Sequence, residues 1–443
     1  MKIEITNQNK WHQSLTVKLA LLGILGLFLL IPLELIKEII KERQLNADKV
    51  KKEISDQWAS KQILSGPVIN IPVRTIPAEK DEKSTTRVWH ILPESLDISG
   101  IIKPEIRYRG IYQSVVYDSE LNIKGYFIIP SEDDLNNYEV LWNEAYYTVG
   151  ISDNRGLKGK IILKTDSTEL EAEPGVRDND IFQSGISFVG PGLIPGNKVS
   201  LDMSINLSGS EGLQLTPLGK STSAHLQSEW SSPSFNGSFL PLKRTVNEKG
   251  FSADWEVTHL NRNFPQSWTG SAYLPLESSF GLDLFQPVDH YQKSWRSSRY
   301  GILFIALTFL VLIFLEITRK ESIHIFHYFL VSLGLILFFS LLNSLSEQVG
   351  FNAAYLISSI ATILMISFFT GTLFKEKKSA FIVFGMLVVL YSFIFVLLTL
   401  NDYAYLAGNI GLFLLLAVIM KLSFNLEIFK KETLFEPNDR KDN

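Results

Sequence analysis

The side chains best suited to chemistry in this 443-residue chain are few and widely spaced. Asp178 and Asp180 lie two apart in "GVRDNDIFQSG", beside Arg177. Paired carboxylates can hold a cation or act on a sugar. Asp and Asn in a turn-rich stretch also cap their own backbone, and that plainer role is the expected one. Arg107 and Arg109 in "IRYRGIY" share one face of a strand, because side chains alternate with period two. With Tyr108 and Tyr112 expected on the opposite face, the guanidinium face suits anionic lipid or glycan groups. A solvated face, or pairing with acidic neighbours across the sheet, is the plainer reading. Trp230, in the loop-like "SEWSSPSF", is the Trp best placed for a surface role, whereas Trp255 alternates with Phe251 and Val257 as a core residue would. Asp289 in the "QPVDHY" linker and Arg296 just beyond it complete the interaction candidates. His324 and His327 stand at i, i+3 with no third ligand nearby, so an interfacial polar pair is expected.

None of these groupings is a catalytic motif. There is no G-x-S-x-G elbow, no Ser three residues before a Lys, and no phosphate-binding loop. The chain has no Cys, which removes thiol nucleophiles, thiolate metal sites and disulfides. The sequence therefore predicts no enzyme, no cofactor and no metal centre.

The elements that position these residues follow from composition. Residues 44–296 contain 25 Lys+Arg against 32 Asp+Glu, an ordinary soluble surface of net −7, while the rest of the chain nets +3 and is rich in Leu, Ile, Phe and Val. Fifteen of the 17 prolines fall between Pro67 and Pro287, and none occurs from Val288 to Glu436. Proline breaks helices, so its absence marks the C-terminal third as helical. A chain of net charge −4 with no basic tract is a poor partner for nucleic acid.

A bilayer core needs about 20 apolar residues per helix. Val17–Ile36 meets this and lacks a small-x-small cleavage site, so it reads as an uncleaved anchor. Five more spans are predicted near Tyr300–Ile317, Ile325–Leu345, Ala353–Phe374, Ala380–Leu400 and Ala404–Phe424. Lys2, Lys10, Lys18, Arg319, Lys320, Lys375, Lys377 and Lys378 mark alternate ends of these spans. The loops at Ser346–Gly350 and Asn401–Asp402 carry no Lys or Arg. That alternation predicts both termini in the cytoplasm and residues 62–296 outside. The expected order is an N-terminal segment and first span (1–36), a helical stalk (37–61), a periplasmic domain (62–296), a five-helix bundle (297–424) and a cytoplasmic tail (425–443). Period-two alternation in "IRYRGIYQSVVYDSELNIKGYFII" and "KVSLDMSINLSGSEGLQLTPL", punctuated by Gly, Asn, Ser and Pro, predicts an all-β, antiparallel sandwich-type domain. The fold class is a membrane protein of α plus β type.

Three strings resemble signatures of the CreD family of inner-membrane proteins. They are Leu92–Phe127, then Thr216–Pro241 followed by Gly250–Gln266, and Phe280–Phe309, in the family's order. The resemblance implies a bacterial inner-membrane protein linked to envelope integrity and stress response, without an established catalytic activity. Its partners would be the lipid bilayer and envelope glycan or periplasmic proteins. The alternatives are an envelope-modifying enzyme and a small-molecule exporter built from the C-terminal helices. Few ionisable residues lie within the spans, chiefly Glu316 and Lys421, which weighs against ion-coupled transport.

Overall fold

The structure, a computed structural model, describes residues 15–76, 84–131, 135, 138–166, 168–284, 290–319, 321–400 and 404–423. The chain divides into two compact units, Met1–Asn46 with Val288–Asn443, and Ala47–Pro287.

The described residues open with helix α1 (Leu15–Phe28) and α2 (Leu30–Trp58), of which the part up to Asn46 belongs to the first unit. Pro32 explains the break: it has no N–H to return to the Phe28 carbonyl and its ring crowds that carbonyl. Among the described residues six helices follow the second unit: α3 (His290–Arg299), α4 (Gly301–Arg319), α5 (Ile325–Val349), α6 (Phe351–Leu373), α7 (Lys377–Thr399) and α8 (Ala404–Ser423). Among the described residues, Val17–Trp58 and the helices α4 to α7 are long and apolar enough to cross a membrane, and α8 carries a shorter apolar stretch, Tyr405–Val418. Five of the six expected spans thus meet that criterion. Gly350, at φ +78°, joins α5 to α6 in one residue, a backbone turn that a side chain would strain.

The helices pack through aromatic rings. Phe304, Phe338 and Tyr391 are mutually in contact, with centroids 4.6 Å apart for Phe304–Tyr391 and 4.8 Å for Phe338–Tyr391. The Tyr355 hydroxyl donates to the Tyr391 carbonyl at 2.8 Å, so this polar atom is satisfied within the helix bundle. At one end of the bundle, Lys18 pairs with Glu316 and donates to the Ile323 carbonyl at 2.6 Å, while Tyr328 donates to Glu316 at 2.8 Å. Arg319 pairs with Glu376 at 3.0 Å. Arg296 instead donates to the Leu397 and Leu400 carbonyls at 3.3 and 3.2 Å, capping the C-terminus of α7.

Among the described residues the second unit is built on two sheets, of ten and nine strands. Residues from both enter one hydrophobic core, among them Ile69, Ile71, Val149, Phe188 and Leu213 of the first sheet and Leu96, Ile123, Phe127, Ile205 and Trp255 of the second. The nine-stranded sheet follows the expected alternation: in Ser95–Arg109, Leu96, Ile98, Gly100 and Ile102 are buried while Asp97, Ser99, Ile101 and Lys103 face out. The sheets are mixed rather than wholly antiparallel. Gln62–Thr75 runs parallel to Gly212–Leu215, and Ser95–Arg109 runs parallel to Ser221–Ser228. Parallel neighbours need a crossover, so strands far apart in sequence lie side by side.

Candidate functional site

Gln62–Thr75 is the strand on which the site is built. It pairs with Thr86–Ile91 on one edge and Tyr146–Ile151 on the other, and is buried along most of its length. Asn70 lies opposite His90 in the first pairing and opposite Tyr146 in the second. Directly opposed residues project to the same face. The register extends this row to Trp268 beside His90 and Val189 beside Tyr146. Five adjacent strands therefore present Trp268, His90, Asn70, Tyr146 and Val189 in line on one face.

The loop bearing Asp178 and Asp180 brings its carboxylates to this row. Asp178 accepts from the Tyr146 hydroxyl at 2.6 Å and from the Asp180 backbone N–H at 3.1 Å, the second being the Asx-type turn contact expected of "RDND". One carboxylate oxygen of Asp180 lies 3.4 Å from His90 Nε2. One ligating atom each from His90, Asp178 and Asp180 falls within 4.8 Å of the others. Arg177 stacks over the Tyr146 ring at 5.7 Å and pairs with Glu173 at 2.9 Å.

His90 is fully buried and its Nδ1 lies 2.7 Å from Asn70 Oδ1. Asn70 Nδ2 donates to Thr148 Oγ1 at 2.8 Å, with the Val68 carbonyl at 3.5 Å. Burial lowers the His90 pKa, and the neighbouring Asp178 and Asp180 carboxylates oppose this in part. Burial, and donation to the Asp178 carboxylate, raise the pKa of Tyr146, which stays a neutral hydroxyl. Trp268 closes the far side of the imidazole, its ring 5.5 Å away.

The other sequence-predicted residues lie elsewhere. Arg107 and Arg109 are exposed near the tip of the hairpin formed by Ser95–Arg109 and Tyr112–Ile128. Arg107 contacts Glu105 at 2.9 Å and lies 5.0 Å over the Trp58 ring, and Arg109 pairs with Glu53 at 2.7 Å. Tyr108 is 70% exposed on the opposite face, but Tyr112 lies directly across from Arg109 and shares its face. The hairpin register corrects the expectation for Tyr112, because a two-residue turn pairs 109 with 112. Trp230 is half-buried against the core and its indole N–H donates to the Ser232 carbonyl at 3.2 Å. Arg296 caps α7, and Asp289 lies outside the described residues. His324 accepts from the Phe326 backbone N–H at 3.2 Å as the cap of α5, while the His327 ring packs 5.9 Å from Phe369.

Sequence reasoning missed His90, Asn70 and Tyr146. The available signal was a His inside the alternating strand "TRVWHI", but nothing local pairs it with a loop 88 residues further on.

Comparison with known proteins places this architecture. Residues 14–428 match the family described as Inner membrane protein CreD. The Inner membrane protein CreD of Escherichia coli (strain K12) is 31% identical over 416 residues, covering 90% of this chain and 91% of its own. Among solved structures, an M1 zinc metallopeptidase from Deinococcus radiodurans overlaps 44% of this chain and 42% of its own at a TM-score of 0.21 and 9% identity, too weak to bear on fold or activity.

Proposed function

This chain belongs to the CreD family of inner membrane proteins, and on that premise we propose that it is a non-catalytic envelope protein. Six helices anchor it in the cytoplasmic membrane with both termini inside, and residues 62–296 are held in the periplasm. There the two-sheet domain contacts lipid, glycan or protein components of the envelope and supports envelope integrity under stress. The observation that carries the reading is the family match across residues 14–428, joined to the distribution of charge on the helices. Lys18, Arg319 and Glu376 gather at one end of the bundle, where Lys377 and Lys378 begin α7. Cationic loops at one end are what the cytoplasmic side of such a bundle requires. An apolar groove of about 600 Å³ between α4, α7 and α8, lined by Leu307, Phe314, Met386, Phe393 and Leu415 among others, has no ionisable side chain. Such a groove suits acyl chains better than a polar cargo.

The absence of cysteine makes the topology directly testable. Single Cys placed at Tyr108 or at Glu321 reports on the two sides in intact spheroplasts exposed to a membrane-impermeant maleimide. Labelling at position 108 and protection at 321 until the membrane is opened is the expected result. The reverse pattern sinks the orientation. Restored detergent resistance in cells lacking the native protein tests the envelope role, and a fully complementing variant that lacks residues 62–284 would exclude the domain from it.

A further inference from the structure

We propose that His90, Asp178 and Asp180 form a binding site for one divalent transition-metal ion of the zinc class. The inference goes beyond the envelope role and is independent of it. It rests first on the state of His90. The Asn70 amide is oriented by its donation to Thr148 and by the nearby Val68 carbonyl, so its oxygen faces His90 Nδ1. A carbonyl oxygen only accepts, which places the imidazole proton on Nδ1 and leaves Nε2 with a lone pair. That Nε2 is buried, has no hydrogen-bond partner, and is directed at two carboxylates. A lone pair facing two anions is repulsive, and either a second ring proton or a metal ion relieves it; one imidazole nitrogen beside two carboxylates makes a ligand set for the ion. A ligating His whose other nitrogen is held by a second residue is the arrangement by which proteins fix tautomer and ring orientation at metal sites.

The spacing agrees. Ligand atoms about 2.0–2.2 Å from a tetrahedral ion lie roughly 3.3–3.6 Å from each other. His90 Nε2 and Asp180 Oδ2 are 3.4 Å apart. Asp178 is oriented by Tyr146 and the Asp180 backbone, yet each of its oxygens keeps a further lone pair. Trp268 walls the site on one side, while the Asp180 side chain is 31% exposed, leaving an entry path and room for water as a fourth ligand. One imidazole nitrogen with two carboxylates suits zinc, manganese or cobalt, whereas calcium and magnesium prefer oxygen alone. Arg177, the nearby cation, is engaged by Glu173 and lies over the Tyr146 ring.

The test uses tag-free full-length protein in detergent, stripped with chelator and dialysed against Zn²⁺, with Co²⁺ absorption as a second readout. One tight equivalent is expected for the wild type, with d–d bands on cobalt substitution and an unfolding temperature that rises with zinc. His90→Gln and Asp180→Asn should each weaken binding at least tenfold and abolish the thermal shift. If His90→Gln does not fold, Asp178→Asn and Asp180→Asn decide the matter, because both are isosteric at partly exposed positions. The site is refuted if the wild type binds no zinc, or if Asn variants that unfold normally without metal bind zinc as tightly as the wild type.

Discussion

Asp153→Asn should lower the stability of the two-sheet unit by about 2–3 kcal/mol at neutral pH. Asp153 is where the end of α2 is fastened to the first strand. One carboxylate oxygen accepts from the Ser60 backbone N–H at 2.9 Å, the Ser60 hydroxyl at 3.0 Å and Arg155 Nη2 at 2.6 Å. The other accepts from the Arg155 backbone and Nε at 3.1 and 2.9 Å, while Arg155 Nη1 reaches the Asp56 carbonyl of α2. The two bonds from Ser60 are to a charged acceptor whose side chain is only 10% exposed, and together are worth about 3 kcal/mol. The Arg155 guanidinium is 56% exposed, so its pairing adds less than about 1 kcal/mol. Asn keeps one acceptor oxygen and shape, which trims the loss. The Arg155 side chain foremost, with the Ser60 and Arg155 backbone N–H groups and the Ser60 hydroxyl, holds the Asp153 carboxyl well below the usual 3.8 against the opposing effect of burial. Between the folded value and 3.8 the unfolded chain binds more protons than the native one, so the contribution is complete above about pH 5, starts to shrink as pH falls below 3.8 and is lost as pH reaches the folded value. Six of the eight Trp lie in Ala47–Pro287, so Trp fluorescence during denaturant unfolding in detergent follows this unit. A difference under about 0.5 kcal/mol at pH 7, or one that does not shrink on acidification to pH 3, would refute the reasoning.

Three further outcomes are measured by equilibrium unfolding in detergent, the first through the far-UV circular dichroism of the helices and the other two through Trp fluorescence. Lys18→Met and Glu316→Gln should each destabilise the helical unit by up to about 3 kcal/mol, since each strands a partly buried partner charge, and the double variant should cost clearly less than the sum; strict additivity would dissolve the pair. Arg262→Met should cost about 2–4 kcal/mol, because the buried guanidinium donates to the Phe264, Pro265 and Leu218 carbonyls and to Gln266, acceptors that Met leaves unpaired; a variant as stable as the wild type would show them satisfied otherwise. Gly150→Ala should cost about 1–3 kcal/mol, as the new Cβ would meet the Phe182 ring at 2.4 Å, and adding Phe182→Leu should recover part of it; no recovery would place the strain in the backbone.

Periodicity made the helices and the nine-stranded sheet legible. The "IRYRGIYQSVVYDSELNIKGYF" hairpin announces itself because one face is buried and the other wet. Within Gln62–Thr75 the string "PVINIPVR" also reads as a period-two strand, but nothing in it reveals that the strand is covered on both faces. The parallel pairings were likewise invisible, being set by tertiary closure and not by any local turn. Asp178 and Asp180 stood out as a turn, but their meeting with His90 depends on a register through Asn70 that no short motif encodes. Tyr112 was misplaced for a related reason, as faces were counted along one strand without the turn that pairs it with Arg109. Helix α2, expected to run to about Lys61, ends at Trp58, beside the Asp153 clasp that takes over the chain at Ser60.

The parallel pairing of the first strand has a consequence for how the molecule is made. Ser65 bonds Thr216, 151 residues later, and Gly212–Leu215 in turn needs Phe280–Leu284 beside it. During synthesis the earliest strand therefore waits with an open edge until nearly the whole unit has emerged. Contacts this distant form slowly, and open edges invite pairing with other chains. The unit must complete its fold late and all at once, which makes it dependent on whatever shields an extended chain, and makes truncation from its C-terminal end more damaging than the small size of the lost strand would suggest.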